Sequence, residues 1–135
     1  MPDKKLVVGF IFWGSSNTKY LADFLSSLID AVNQCGLDTT IISCDNGPAD
    51  YPDNKKIITA YPQIDILGSG QNIGFANANN ILITRAQELK ADFYLIMNPD
   101  LILEPDAIKE LVQTMLDHPD VSAVTPKVKR WDFAH

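Results

Sequence analysis

Apolar and polar positions change period along the chain in a way that sets out its elements. Leu6 to Phe12 is a short apolar run rich in β-branched residues that stops at Trp13-Gly14-Ser15-Ser16, the pattern of a buried strand feeding a turn. From Thr18 to Val32 the period switches. Leu21, Phe24, Leu25, Leu28, Ile29 and Val32 recur at helical spacing, with Gly36 placed to end the helix. Leu37 to Ser43 predicts a second strand that ends at Cys44-Asp45-Asn46-Gly47-Pro48. Ala49 to Lys56 is polar and contains proline, which predicts a surface loop, and Ile57 to Ile66 fits short strands or loop equally. Gly74 to Leu89 predicts a second helix, with Phe75, Leu82, Ala86 and Leu89 on one side. Phe93 to Met97 is a compact apolar run. Pro105 opens a third helix through Ile108, Leu111, Val112 and Met115 to Leu116, and Val121 to Val124 predicts a last strand.

Strands alternating with helices predict an α/β domain with a mainly parallel sheet and helices on both faces. Ligands of such sheets bind beyond the carboxyl ends of the strands, where strand order reverses. Gly14-Ser15-Ser16, Asp45-Asn46 and Asn98-Pro99-Asp100 would all project from that edge.

Length and composition narrow the class. The 135 residues suit a single domain spanning 1–135, and 46% hydrophobic with 21% charged residues is ordinary for a folded protein. The net charge of -6 argues against nucleic acid, whose binding rests on Lys and Arg meeting phosphates. A phosphorylated small ligand would need backbone N–H groups, a helix N-terminus or a metal ion instead. Cys35 and Cys44 form no metal or disulfide pattern, so reduced thiols in the cytoplasm are expected. The apolar start is expected to be a first strand and not a secretory signal, because Gly-Ser-Ser leads into an amphipathic helix. No apolar run approaches the ~20 residues of a membrane span, which leaves peripheral membrane association at the inner face open.

Two stretches are candidates for chemistry. In Asn98-Pro99-Asp100 the proline fixes its own φ and pushes Asn98 into extended geometry, so the flanking polar side chains are held. Asp100 offers the hard oxygen that Mg2+ or Mn2+ prefers, and Mg2+ takes only one or two protein carboxylates before substrate phosphates and water complete its shell. The same tripeptide can also be a plain turn. In Gly70 to Asn80, GQNIGFANANN, Asn72, Asn77, Asn79 and Asn80 crowd a helix start where Gly74 admits close approach and the helix end carries partial positive charge. Helix capping accounts for some of these asparagines, and ligand contact is expected for the rest.

Taken in order, Ser43-Cys44-Asp45-Asn46-Gly47-Pro48-Ala49-Asp50, Asn72-Ile73-Gly74-Phe75-Ala76-Asn77-Ala78-Asn79-Asn80 and Met97-Asn98-Pro99-Asp100 with Pro105-Asp106 resemble the N-terminal part of family-2 glycosyltransferases. The resemblance is nearest to the rhamnosyltransferase-like branch, where Asn-Pro-Asp replaces Asp-x-Asp, and it runs from the first strand to Val128. It implies a Rossmann-like GT-A nucleotide-sugar-binding fold, of which this chain would be the donor half without the C-terminal acceptor half. By position it implies that Asp45 hydrogen-bonds the donor nucleobase beside the turn of Trp13, Gly14 and Ser15. Asn72, Gly74 and Asn80 would shape the donor-sugar pocket, and Asn98 and Asp100 would face the diphosphate and its metal. The implied chemistry is inverting transfer from a nucleotide-diphosphate sugar, dTDP-rhamnose or a UDP-sugar, to a saccharide or lipid-linked acceptor in cell-surface polysaccharide synthesis, with Mg2+ or Mn2+ neutralising the leaving diphosphate.

The sequence departs from the family at Trp13-Gly14, where an aromatic residue followed by Asn is commoner, and in length, since the acceptor site and catalytic base lie further along longer chains. No catalytic base is assigned: Asp132 and His135 are expected to be tail residues, and Glu104 and Asp106 helix N-terminal charges. Two alternatives stand beside this reading. One is a truncated, non-catalytic domain that binds a nucleotide sugar or self-associates. The other is a flavodoxin-like FMN carrier, suggested by the hydroxyl-rich loop Phe12 to Thr18. A receiver domain lacks its paired acids after the first strand, and Gly68-Ser69-Gly70 is misplaced for a nicotinamide-binding loop.

Overall fold

The computed structural model describes residues 3–14, 18–47 and 52–130. Ser15 and Ser16, the Pro48-Ala49-Asp50 part of the motif, and Asp132 and His135 lie outside the described residues. The elements are β1 (Lys5–Phe12), α1 (Thr18–Cys35), β2 (Asp38–Asp45), α2 (Pro52–Thr59), β3 (Ile64–Leu67), α3 (Phe75–Glu88), β4 (Phe93–Met97) and α4 (Ala107–Asp117). The four strands form one parallel sheet in the order β3-β2-β1-β4.

Side chains alternate across the strands and so divide the core in two. Leu6, Val8, Phe10 and Phe12 of β1 face a layer built from α1, α2 and α4, where Leu21, Phe24, Leu25, Leu28, Ile58, Ile108 and Val112 are buried. Phe10 and Phe24 meet edge to face, centroids 5.1 Å apart at 77°. Each such side chain contributes about 1.5–3 kcal/mol on burial. Val7, Ile42 and Cys44 face the other way and are covered by α3 through Ala78, Leu82 and Ala86. Cys35 and Cys44 therefore lie on opposite faces of the sheet, both buried and both free.

From β1 the chain steps outward through β2 to β3, then α3 carries it back across the sheet to β4 on the far side of β1. The order reverses between β1 and β4, and the cleft of a doubly wound sheet opens at such a point. This is the strand order of a Rossmann-like half and not the flavodoxin order, in which β1 separates β2 from β3. The electron-carrier alternative fails on that ground.

Three expectations from the sequence are corrected. Within the stretch Ala49 to Lys56, residues 52–56 are helix and not loop: α2 buries Asn54 and Ile58, four residues apart on one face, and the asparagine hides the apolar period. No strand forms at Val121 to Val124; the segment 121–130 has no regular structure, and Val128 is 84% exposed. β-branched residues make a strand only where another backbone supplies the ladder. Phe75 does not join the core side of α3 but is 63% exposed at the helix start.

Candidate functional site

All four strands point their carboxyl ends to one edge, and there the turns are tied to one another. The Gly14 N–H donates to Gly47 O at 3.0 Å, the Asn46 N–H to Phe12 O at 3.1 Å and the Gly70 N–H to Asp45 O at 3.3 Å. Asn54, buried in α2, donates its side-chain amide to Gly14 O. The Trp13-Gly14 turn is thus fixed from two sides, while Trp13 itself remains 46% exposed.

Asp45 closes β2. Its Oδ1 accepts the Gly47 N–H at 2.9 Å, which leaves Oδ2 for another donor. Gly47 is at φ +64, and a Cβ there would stand 2.1 Å from Gly70 O. Only glycine allows the β2 and β3 turns to approach so closely. Burial, and then the neighbouring Asp45 charge, push the Cys44 thiol up from its ordinary pKa, so Cys44 is an inert core residue of this edge.

The loop into α3 is held by amides. Asn46 is 4% exposed; its Oδ1 accepts the Ile73 N–H at 3.0 Å, and its Nδ2 lies 3.3 Å from Asn72 Oδ1. Asn72 Oδ1 also accepts the Gly74 N–H at 2.9 Å. Asn77 donates to Ile73 O at 2.8 Å, and the buried Asn79 donates to Phe75 O at 3.0 Å. Three of the four asparagines therefore brace backbone at the helix start. Asn72 Nδ2 and Asn77 Oδ1 are not spent in these contacts. Gly74, the N-cap at φ 85, supplies no side-chain cap to the first N–H groups of α3. Asn80 is exposed and lines a shallow groove with Leu67 at the end of β3 and with Ile81, Thr84, Arg85 and Glu88 of α3.

Across the switch point, Met97 pairs with Phe10 and the chain leaves β4 as Asn98-Pro99-Asp100. Pro99 is buried and both neighbours are exposed, so the proline anchors the turn and turns two polar side chains outward. The next residues are also held. Leu101 and Leu103 pack on the α1 side of the core, and the Leu103 N–H donates to Ser27 Oγ at 3.1 Å. The alternation of Leu101, Ile102 and Leu103 reflects an extended strap, with Ile102 half exposed between two inward leucines.

The structure thus brings Trp13, Gly14, Asp45, Asn72, Gly74, Asn77, Asn98 and Asp100 to one edge of the sheet. Asn46, which the sequence places with Asp45 among the polar strand ends at this edge, is buried and ties the turns together, as does Asn54, which the sequence does not point to. The sequence signal for Asn54 is its four-residue spacing from Ile58, which is weak because an asparagine does not mark a core position. Among the described residues no three His, Cys, Asp or Glu side chains form a cluster able to hold a metal ion. Asp100 is a single hard carboxylate at the switch point, which fits an ion whose other ligands are phosphate and water.

A four-stranded parallel sheet with its polar turns gathered beside a strand-order reversal defines a nucleotide-binding type of α/β domain. The family model of glycosyl transferase family 2 matches residues 15–134, and the chain belongs to that family. It is also 25% identical, over 118 residues and 82% of its length, to the N-acetylglucosaminyl-diphospho-decaprenol L-rhamnosyltransferase of two strains of Mycobacterium tuberculosis, CDC 1551 / Oshkosh and H37Rv. The match covers 37% of those relatives, so the chain spans well under half of their length.

Proposed function

We propose that this chain is the donor-binding part of an inverting glycosyltransferase that takes a nucleotide-diphosphate sugar, dTDP-rhamnose or a UDP-sugar. The acceptor is a saccharide or lipid-linked saccharide in cell-surface polysaccharide synthesis, at the cytoplasmic face of the membrane. No helix among the described residues is long and apolar enough to cross a membrane, which is compatible with peripheral attachment. The observation that carries the proposal is the convergence of the Asp45 turn, the braced start of α3 and the exposed Asp100 beside the β1/β4 reversal.

Each part has a chemical task on this reading. Asp45 Oδ2 accepts from a nucleobase N–H, with Trp13 beside it as an exposed aromatic surface. The first N–H groups of α3, with Asn72 Nδ2 and Asn77 Oδ1, face the sugar and diphosphate. Asn98 and Asp100 face the diphosphate, and Asp100 would hold the divalent cation. When bound, Mg2+ or Mn2+ supplies charge neutralisation of the leaving diphosphate. None of the described carboxylates is assigned as the catalytic base.

The test is calorimetric titration with dTDP and with UDP, with and without Mn2+, on the native protein and on Asp100→Ala. The expected result is metal-dependent binding of one nucleotide that Asp100→Ala abolishes while its melting curve stays native. Equal metal-dependent affinity in the variant would remove Asp100 from the site, and silence with both nucleotides would overturn the proposal.

A further inference from the structure

The amides of Asn46, Asn72, Ile73 and Gly74 form a directional chain. A backbone N–H, that of Ile73, marks which Asn46 atom is the oxygen, so the other must be Nδ2, and it points at Asn72. The Gly74 N–H marks Asn72 Oδ1 in the same way. Donors and acceptors alternate without conflict from the end of β2 to the first turn of α3. The clasp joins residues 26 apart in the sequence, and the Gly70 N–H to Asp45 O bond at 3.3 Å joins the same two segments through backbone alone. At 4% exposure Asn46 is sealed from solvent and has little contact surface of its own to give a ligand.

We infer that Asn46 is a positioning residue, which fixes the sugar-side loop 72–74 relative to the base-side turn 45–47 and touches no part of the donor. The inference rests on the proposed donor site. A donor nucleotide sugar spans both segments, so its affinity depends on their spacing being set before binding. A nucleoside monophosphate engages chiefly the base side and is insensitive to it. Asn72 acts in the same chain, through Oδ1, whatever its Nδ2 does.

Two measurements on the full chain decide this. Amide hydrogen exchange by NMR on the ligand-free protein reads the clasp directly. In Asn46→Ala the Ile73 and Gly74 amides should exchange at least about tenfold faster. In Asn46→Asp the Ile73 amide should stay slow, since a carboxylate still accepts from it. The Gly74 amide should speed up there, because two acceptor oxygens then oppose each other at Asn72. Unchanged exchange at both amides in Asn46→Ala would overturn the clasp. If Asn46→Ala does not fold, Asn72→Ala breaks the same link from an exposed position and should release Gly74 alone.

The second measurement is calorimetry with UMP against UDP-glucose and dTMP against dTDP-rhamnose, all with Mn2+. Asn46→Ala should keep monophosphate affinity within about twofold and lose at least about fivefold of the extra affinity conferred by the diphosphate sugar. Parallel loss for both ligand types, as general destabilisation would give, overturns the positioning role. Native protein that binds none of the four ligands would overturn the proposed function, while the exchange result would still decide the clasp.

Discussion

Replacing Tyr94 by Phe should stabilise the protein, and the gain should grow in alkali. Tyr94 lies on the α3 side of β4, over Gly9 of β1, where a Cβ would come within 2.3 Å of the phenol oxygen. The hydroxyl is buried and has no hydrogen-bond partner among the described residues. A buried polar group left unsatisfied costs about 1–3 kcal/mol, and its removal forfeits a few oxygen contacts worth about 0.1–0.2 kcal/mol each. The net expectation for Tyr94→Phe is about 0.5–2.5 kcal/mol of added stability. With an unfolding entropy of about 2.1 cal/mol/K per residue, that is a melting point about 2–9 °C higher near neutral pH.

Burial pushes the Tyr94 phenol up to about 12 from an ordinary value near 10. A group whose pKa is raised on folding has its full contribution below the unfolded pKa and loses it as pH rises through the folded one. The native protein should therefore lose stability between about pH 10 and 12, at no more than about 1.4 kcal/mol per pH unit from this group. Tyr94→Phe lacks that loss. Melting both proteins from neutral pH upward isolates the group, since the other tyrosines are common to both. A variant less stable at neutral pH, or a gap that does not widen above about pH 10, would refute the reasoning.

Three further outcomes follow from single contacts. Gly47→Ala combines a left-handed backbone, about 1–2 kcal/mol, with a clash against Gly70 O, about 1–3 kcal/mol, so urea denaturation should show a loss of about 2–5 kcal/mol. Asn54→Ala removes the buried donor to Gly14 O and should cost about 1–3 kcal/mol in the same assay; a neutral result would dismiss Asn54 as a support of the Trp13 turn. Asp92 is held below the usual carboxylate range first by the Lys4 side chain and then by the Lys5 N–H, each donating at 2.8 Å. Its contribution is present above the unfolded carboxyl pKa and lost as pH falls through the lowered folded one, so the native protein and Asp92→Asn should converge in acid melting curves.

What could be read from the sequence was what a strong period announces. β4 spans the predicted Phe93 to Met97, and α1 starts at Thr18 as predicted, because continuous apolar runs and a repeated three- and four-residue spacing leave little choice. The sequence conceals α2 because its core-facing positions include Asn54, an amide that donates to a carbonyl 40 residues away. Val121 to Val124 failed for the converse reason: local propensity was present and no neighbouring strand was. The candidate site followed the same division. Asp45, Asn46, Asn98 and Asp100 are visible because they follow apolar runs at strand ends, whereas the hold of Asn46 on the α3 loop shows only once β2 and that loop are side by side.

The distribution of charge gives the acidic site its logic. Lys4 and Lys5 stand at the start of β1, the edge away from the candidate cleft, and pair there with Asp92 and Asp38. Arg85 on α3 is engaged by Asp65 and Glu88. The strands at the cleft edge end in Asp45 and Asp100, with Lys19 in the first turn of α1 after β1, on a chain of net charge -6. A diphosphate brought there alone would, on the proposed reading, meet the Asp45 and Asp100 charges, offset in part by Lys19 and by the first N–H groups of α3. On the proposed reading a divalent cation at Asp100 reverses that sign, so the residue that repels the bare ligand recruits the metal complex. Metal dependence would then be a property of binding itself, present before any acceptor arrives.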